Sequence, residues 1–372
     1  MKICIDARNI RANPSGLCRY ALHIVRGMAE LDKTNTYYIL RDKRFQKRIV
    51  DNDNFIDIYD PLKDTGSVQN ALFGAFVVNK YQLDVFHTLN QVVPFGLKAK
   101  RILTTVHDLM WFEAPTLSFE SKAKARGANL LARTSFASSY RRANKVICIS
   151  KTTEKIFQNW FPKQAHKTAV VSHHDVFFLD DNTRDHFDME ELNQELPERF
   201  IFSIGNSKPY KNVDGVFKAF SRIAAAYPKV KIVVVGRMDR KAVLQELAQQ
   251  LGIAQQVHFV SQQVSDHDLK LLFKRAQFLA FPSFYEGYGI PLLEALSMGC
   301  PVLGSTVDIV KETTGGVATY VDPHDLEEMA TRMRRLLEEP RFQAELRQQG
   351  LDYIDSLRSY NSVERTHRLY FE

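Results

Sequence analysis

Two glutamates, Glu286 and Glu294, flank a segment that holds Gly287 and Gly289 and leads into Pro291. Carboxylates accept hydrogen bonds from hydroxyl groups, which sugars carry in high density. Glycines let the backbone approach a ligand closely, and proline favours the first turn of a helix, whose unpaired N–H groups attract anions. The segment therefore predicts a site for a diphosphate with a hydroxyl-binding acid on each side. The alternative is that both acids are surface residues beside a helix N-terminus, where a negative charge is favourable anyway.

Two elements must position this segment. The apolar run from Phe278 to Phe281 predicts a buried strand before it. The leucines within residues 291–299 predict an apolar helix face after it, and Gly299 predicts the end of that helix. A loop between a strand and the following helix is the usual ligand-binding position in open α/β sheets.

Two further polar groups follow predicted strands. The loop from Gly205 to Asn212 comes after the apolar run 200–204 and carries Lys208 and Lys211, whose compact charges could neutralise a diphosphate. His107 comes directly after the apolar run 102–106. The alternatives are solvated lysines at a helix start and a packed or surface histidine.

Length and composition place the chain among ordinary soluble globular proteins. Its 372 residues exceed one typical core and favour two domains, and 45% of them are hydrophobic and 25% charged. The four cysteines are scattered, without metal-ligand spacing, and favour a reducing cytoplasm. Asp6 interrupts the position where a signal peptide has its apolar core, so we expect a cytoplasmic protein.

The net positive charge comes entirely from the first half of the chain. Residues 1–182 hold 27 Lys and Arg against 17 Asp and Glu, a net charge of +10, whereas the remainder holds 23 against 26, a net charge of −3. This asymmetry predicts an anionic partner for the first half, either a nucleic acid or an acidic membrane surface. A solvated basic face is the alternative, and no recognition motif or aromatic-basic interleaving supports nucleic acid.

Short apolar runs alternate with longer amphipathic stretches throughout the chain, which is typical of a parallel sheet covered by helices on both faces. The runs lie at 3–5, 37–40, 85–86, 102–106, 146–149 and 169–171, and then at 200–204, 231–235, 257–260, 278–281, 301–303 and 319–321, with helices between the latter at about 213–227, 240–251, 266–275, 291–299 and 324–338.

This pattern predicts an α/β protein of two doubly wound, Rossmann-like domains that face a cleft. We expect a first domain at 1–182, a polar linker at 183–198, a second domain at 199–357 and a last helical segment at 358–372 that packs back on the first domain.

The string from Ser283 to Val302 closely resembles the E-x7-E signature of retaining glycosyltransferase family 4, which has the GT-B fold. The resemblance implies that Glu286 contacts hydroxyls of the transferred sugar and that Glu294 binds the nucleotide ribose. It also implies that backbone amides between them meet the donor sugar and phosphate, at Gly287, Tyr288, Gly289 and Ile290.

The loop from Gly205 to Asn212 is similar to the G-x-x-x-P-R-K-N motif of the same family. Lys211 matches the phosphate-binding lysine, but Tyr210 replaces the arginine. Either Lys208 supplies the second positive charge or backbone dipoles hold the leaving diphosphate.

Weaker similarities extend over the rest of the chain. His107 matches a histidine that contacts the donor sugar. The segment from Ser15 to Tyr20 resembles T-G-I-G-R-Y, in which Gly16 matches the first glycine and Cys18 replaces the second. Other loops match donor-binding positions, the last near the nucleotide base: Asn206, Arg237, Ser261 and Val264. By this resemblance the catalytic residues are His107, Lys211 and Glu286.

The resemblance implies a hexosyltransferase that retains anomeric configuration and uses no cofactor or metal, and no D-x-D-like pair follows a predicted strand. The similarity is greatest to bacterial mannosyltransferase-like enzymes of surface polysaccharide, including lipopolysaccharide, synthesis, which implies a GDP-linked donor such as GDP-mannose. A UDP-sugar donor, a sugar-nucleotide epimerase of the same fold and an inert scaffold are the alternatives. The expected acceptor is a glycan or a lipid-linked glycan, and the basic stretch 121–145 could place the protein peripherally at the inner membrane face.

Overall fold

The computed structural model describes residues 1–10, 15–60, 68–118, 122–175, 196–205, 207–236, 239–260 and 264–372. The chain divides into two compact units, one of Met1–Val176 with Tyr360–Glu372 and one of Phe177–Ser359. Most of the predicted linker, 183–195, lies outside the described residues.

The described residues of the first unit form a parallel seven-stranded sheet in the order β3-β2-β1-β4-β5-β6-β7. Helices follow the first, third, fifth and sixth strands along the chain. The strands are β1 Lys2–Asp6, β2 Thr36–Asp42, β3 Phe55–Asp60, β4 Leu83–Thr88, β5 Ala99–Val106, β6 Lys145–Cys148 and β7 Thr168–Val170, and the helices are α1 Gly16–Leu31, α2 Val68–Asn79, α3 Met110–Glu113, α4 Lys122–Arg142 and α5 Lys151–Trp160.

The sequence reading missed β3, which lies at the edge of the sheet. Phe55 and Ile58 are buried there while Ile56 and Tyr59 are exposed, and two acids interrupt the apolar pattern. Edge strands bury less of each face than central strands, so they lack the continuous apolar runs on which the prediction depended.

The second unit repeats the arrangement, with a parallel six-stranded sheet in the order β10-β9-β8-β11-β12-β13. Its strands are β8 Arg199–Ile204, β9 Val230–Val235, β10 Val257–Val260, β11 Phe278–Phe281, β12 Val302–Ser305 and β13 Thr319–Val321, and its helices are α6 Val213–Ser221, α7 Lys241–Gln250, α8 Asp266–Arg275, α9 Ile290–Ser297, α10 Asp308–Thr314, α11 Leu326–Glu338 and α12 Pro340–Leu357.

Most elements lie where the sequence predicts them, but several of their boundaries differ. The helix expected at 213–227 ends at Ser221 and continues as a separate 3₁₀ turn, Ala224–Ala226. The strand expected at 301–303 is Val302–Ser305. Helix α9 begins at Ile290, so Pro291 is its second residue, a position in the first turn where a missing N–H is equally harmless.

In both sheets the order in which successive strands are added reverses at one point. This point lies between β1 and β4 in the first unit and between β8 and β11 in the second. Strand order of this kind defines a Rossmann-like fold, and loops on the two sides of the reversal leave room for a ligand at the carboxyl ends of the strands. The α/β class and the two Rossmann-like sheets predicted from the sequence are therefore confirmed.

The last helix, α13 (Ser362–Arg368), packs against α1 within the first unit. The Tyr370 hydroxyl lies 2.8 Å from His87 Nδ1 on β4, and His367 Nε2 lies 3.0 Å from Asp32 Oδ2. A Cβ added to Gly27 would meet the side chain of Val363 at 2.4 Å, which shows how closely the two helices approach.

The ends of β8 and β9 approach closely through two glycines. Gly236 has a φ of +130°, and a Cβ at this position would lie 2.1 Å from the carbonyl oxygen of Gly205. We expect Gly236→Ala to lower the free energy of unfolding by about 2 to 4 kcal/mol, because it adds backbone strain to a clash with main-chain atoms.

Chemical denaturation would measure this loss. Gly316→Ala is the matched control, since Gly316 also has a positive φ (+84°) but open space around its Cβ position, and we expect a loss of about 1 kcal/mol there. Equal losses in the two variants would contradict the close approach.

Candidate functional site

The loops that follow β8 and β11 are joined at the strand reversal of the second unit. The amide of Phe284 donates to the carbonyl of Tyr210 (2.8 Å). Asn212 Nδ2 donates to the carbonyls of Pro282 (3.0 Å) and Pro323 (2.9 Å). One buried side chain thus fixes the loop after β8 against the loops after β11 and β13.

Asn212 can do this because of its unusual backbone conformation. It has a φ of +56°, which asparagine tolerates better than most residues, and its Oδ1 accepts from the amide of Gly215 to cap α6. A Cβ on Gly215 would lie 2.3 Å from that oxygen, so the glycine is required. Asn212 matches the last residue of the G-x-x-x-P-R-K-N motif, but the sequence analysis assigned it no role, although asparagine three residues before glycine at a helix start is a usable signal.

Lys211 and Glu286 form the centre of the site. Lys211 Nζ lies 2.7 Å from Glu286 Oε1, and their side chains are 13% and 6% exposed. The same ammonium group lies 4.9 Å from the ring centroid of Phe281 and 5.4 Å from that of Tyr210. A cation held by one carboxylate and two ring faces is positioned to exchange that carboxylate for an anionic ligand.

The N-terminus of α9 lies directly beyond Glu286 in the chain. Gly289 is the residue before the helix, with a φ of +89°, and no side chain caps the helix at this residue. Thr313 Oγ1 donates to the carbonyl of Tyr288 (2.6 Å), which fixes the approach to the helix. Such a helix start presents backbone N–H groups and a partial positive charge to an anion.

The two glutamates that define the motif differ in position. Glu286 lies in the loop and, counted over the whole residue, is 9% exposed, whereas Glu294 lies on α9 and is 2% exposed. A buried carboxylate on a helix is costly unless it is hydrogen-bonded, which favours a binding or structural role for Glu294.

The remaining predicted residues are distributed as follows. Lys208 is half-buried and precedes the 3₁₀ turn Pro209–Lys211, and Val264 is half-buried and precedes Ser265, which caps α8. Gly16 is exposed and is the first residue of α1 in the first unit. Three predicted residues lie outside the described residues: Asn206, Arg237 and Ser261.

Arg240, which the sequence reading did not identify, holds the lysine-bearing loop. Its amide donates to Ser207 Oγ (2.8 Å), and its Nη1 donates to the Ser207 carbonyl (3.3 Å). The guanidinium also binds both carboxylate oxygens of Asp214 on α6 at 3.2 Å. The partners are 26 and 33 residues away, so no local spacing could have indicated them.

We expect Arg240→Ala to weaken nucleoside diphosphate binding about tenfold, because the loop with Lys208 and Lys211 would lose its fixed conformation before the ligand arrives. Calorimetric titration with GDP and UDP measures the change. Arg332→Ala is the control, since Arg332 forms a half-exposed ion pair with Glu328 within α11. An affinity unchanged in Arg240→Ala would show that the arginine only supports the fold.

His107 lies at the carboxyl end of β5 in the first unit and is 8% exposed. Its Nε2 lies 2.8 Å from the carbonyl of Leu89, to which it donates, and its ring meets Tyr20 edge-on at 5.0 Å. Burial lowers the pKa of His107 to about 4. The ring is therefore neutral near pH 7, with Nδ1 as a hydrogen-bond acceptor.

A buried polar network lies behind His107. The Tyr20 hydroxyl lies 3.2 Å from Thr105 Oγ1, which lies 2.9 Å from His87 Nε2. The Tyr20 ring also stacks on His173 at 4.2 Å. Burial lowers the pKa of His87 to about 3, so this network too contains a neutral imidazole near pH 7.

These buried histidines predict a pH-dependent stability. The unfolded chain binds a proton on His107 near its ordinary pKa of 6.5, but the folded chain does so only near 4. The free energy of unfolding therefore falls as the pH is lowered from about 6.5 toward about 4.

Urea denaturation at several pH values measures this dependence. We expect His107→Gln to make the free energy of unfolding less dependent on pH. His166 is exposed, so we expect His166→Gln to show the same pH dependence as the wild type. The same slope in all three proteins would contradict the buried, neutral state of His107.

Among the described residues, no group of three His, Cys, Asp or Glu side chains is arranged to hold a metal ion. In the same part of the chain, no helix is both long enough and apolar enough to cross a bilayer.

The fold is that of the GT-B glycosyltransferases. The structure of WaaG, a glycosyltransferase involved in lipopolysaccharide biosynthesis, matches 100% of this chain and 99% of its own with a TM-score of 0.74 and 18% identity. Residues 185–352 match the model of the family Glycosyl transferases group 1, and this part of the chain is a domain of that family.

The chain is homologous to bacterial O-antigen mannosyltransferases. It is 26% identical to the serotype-specific mannosyltransferase WbdA of Escherichia coli over 57% of this chain, and it spans about a quarter (27%) of that relative's length. It is 23% identical to O-antigen chain mannosyltransferase B of Escherichia coli over 91% of each chain. The glycosyltransferase family predicted from the E-x7-E segment is thus confirmed, whereas retention of the anomeric configuration stays a prediction.

Proposed function

We propose that this protein transfers a hexose of mannose type from a GDP-sugar to a glycan or lipid-linked acceptor in the synthesis of a cell-surface polysaccharide. The observation that carries the proposal is the Lys211–Glu286 pair beside the open N-terminus of α9. The group 1 domain and the mannosyltransferase names of its relatives support the class of donor and acceptor.

The donor would bind by replacing one interaction with another. Its diphosphate becomes the partner of Lys211 and of the amides at the start of α9, which releases the Glu286 carboxylate to accept hydrogen bonds from sugar hydroxyls. Glu294 would take the ribose, as the resemblance implies. In this arrangement the bond from the anomeric carbon to the diphosphate lies between the two groups that bind its ends.

During transfer that bond breaks, and a bond forms from the anomeric carbon to the acceptor oxygen. The proton of the acceptor hydroxyl passes to an oxygen of the leaving phosphate on the same face, so the anomeric configuration is retained. Negative charge grows on the leaving diphosphate, and Lys211 and the dipole of α9 stabilise it without a metal ion. Undiminished turnover in a chelator is the corresponding expectation.

Donor identity and reaction class can be tested in one series. Thermal shifts with GDP, UDP and their sugars should show the largest stabilisation with the GDP compounds. Nucleoside diphosphate release should then require an added glycan acceptor. Stabilisation by UDP compounds alone would identify a UDP-sugar as the donor. Conversion of the sugar nucleotide without an acceptor would indicate an epimerase. Binding without turnover would indicate a scaffold.

Lys211→Ala should lower turnover by about 10² to 10³, or roughly 2.7 to 4 kcal/mol of transition-state stabilisation, as for removal of a preorganised charge donor. Because the substitution also leaves Glu286 without its partner, Glu286→Gln and the double variant should be measured beside it. Lys218→Ala, an exposed lysine of α6, is the control. Near-normal turnover in Lys211→Ala would contradict its role.

A further inference from the structure

Helix α2 presents an aromatic face to solvent. None of its twelve residues is charged, and Ala75 and Val78 pack into the core of the first unit. Phe73 and Phe76 point the other way, 53% and 76% exposed, and Phe76 is the most exposed large apolar side chain in the described residues. Their rings lie 6.5 Å apart. Neighbouring aromatic side chains that are exposed to this degree indicate a binding surface.

The aromatic face continues onto the loop before β5. Asn79, one turn after Phe76, donates to the carbonyl of Gly96 (2.9 Å) and accepts from the amide of Lys98 (2.9 Å). This places Phe95, which is 42% exposed, beside the end of α2. We use the term aromatic face for Phe73, Phe76 and Phe95.

Positive charge borders the aromatic face. The Arg142 guanidinium lies 5.9 Å from the ring centroid of Phe95, and Lys80 and Lys98 are exposed. Residues 68–107 contain four lysines and arginines but a single acid, Asp84, which pairs with Lys100. Phenylalanines within a basic border are the composition of surfaces that lie in the headgroup region of anionic bilayers.

We propose that the aromatic face binds an anionic lipid surface, with Phe73 and Phe76 inserted at the level of the headgroups. The inference rests on the proposed function in one respect, since an acceptor linked to lipid is presented at such a surface. A second copy of this chain fits less well, because a two-fold interface would bring this basic border against its own copy.

Two arginines of the basic stretch 121–145 have different surroundings. The Arg133 guanidinium there lies over the rings of Phe112 and Trp160 at 5.0 and 4.9 Å. Arg142 donates to the carbonyls of Val93 and Pro94 (3.2 and 2.8 Å), so it faces the loop of the aromatic face. The side chains of Lys122, Lys124 and Arg126 lie outside the described part of the chain.

Co-sedimentation with phosphatidylglycerol vesicles at low salt tests the proposal, with phosphatidylcholine vesicles as the neutral comparison. We expect the intact protein to bind the anionic vesicles, and the Phe73→Ser/Phe76→Ser double variant to lose about tenfold in bound fraction. Phe371→Ser, which removes a half-exposed aromatic ring elsewhere in the first unit, should bind as wild type does. Equal binding by all three proteins would overturn the proposal.

A label at the helix itself gives a second measurement. All four natural cysteines are buried, so an environment-sensitive dye can be attached selectively to Phe76→Cys. Its emission should shift to the blue on anionic vesicles, and an unchanged spectrum with bound protein would place the contact elsewhere. A dimer in light scattering that dissociates in the double variant would identify a second copy as the occupant instead.

These measurements do not depend on catalysis. The thermal midpoint of the double variant and its stabilisation by GDP report on the fold and on the donor site, and both should remain at wild-type values. Loss of vesicle binding with GDP binding intact would support the surface even if no acceptor were found. GDP binding without vesicle binding by the intact protein would overturn the surface and leave the donor site standing.

Discussion

The candidate site depends on one side chain, Asn212, which is 5% exposed and joins its own loop to the loops after β11 and β13. Unsatisfied amide groups are costly in a protein interior, so its bonds to the carbonyls of Pro282 and Pro323 hold those loops in place strongly. Lys211 is its neighbour in the chain, and Glu286 follows Pro282 by four residues. The Lys211–Glu286 pair can therefore form without either side chain having to order a loop.

The same loop is held from its other side by Arg240 and Asp214. Two fixed points, one at each end of residues 207–212, reduce the conformational freedom that a bound ligand would otherwise have to remove. This arrangement suits the proposed diphosphate site, because a rigid loop holds its few positive charges in place before the ligand binds. Tyr210 in place of an arginine is consistent with it, since the ring of Tyr210 lies beside the Lys211 ammonium.

Much of the fold could be predicted because parallel strands buried on both faces give continuous apolar runs, as in β8, β9 and β11. The edge strand β3 lacks such a run and was missed. The positions of Glu286, Lys211 and Pro291 could be predicted because two motifs cover them, one at residues 283–302 and one at residues 205–212. The contacts of Arg240 and Asn212 could not be predicted, because they join residues far apart in sequence. The strand order that brings these residues together cannot be inferred from any local sequence pattern.

The first unit contains both an early and a late part of the chain, since residues 360–372 follow the whole of the second unit. During synthesis the seven strands of the first unit leave the ribosome long before Tyr370, whose hydroxyl is the partner of the buried His87 Nδ1. Until then His87 lacks that bond, and α1 lacks the helix that covers Gly27. The second unit ends at Ser359, so the nascent chain completes the second unit before the first, the reverse of the usual order from the N-terminus.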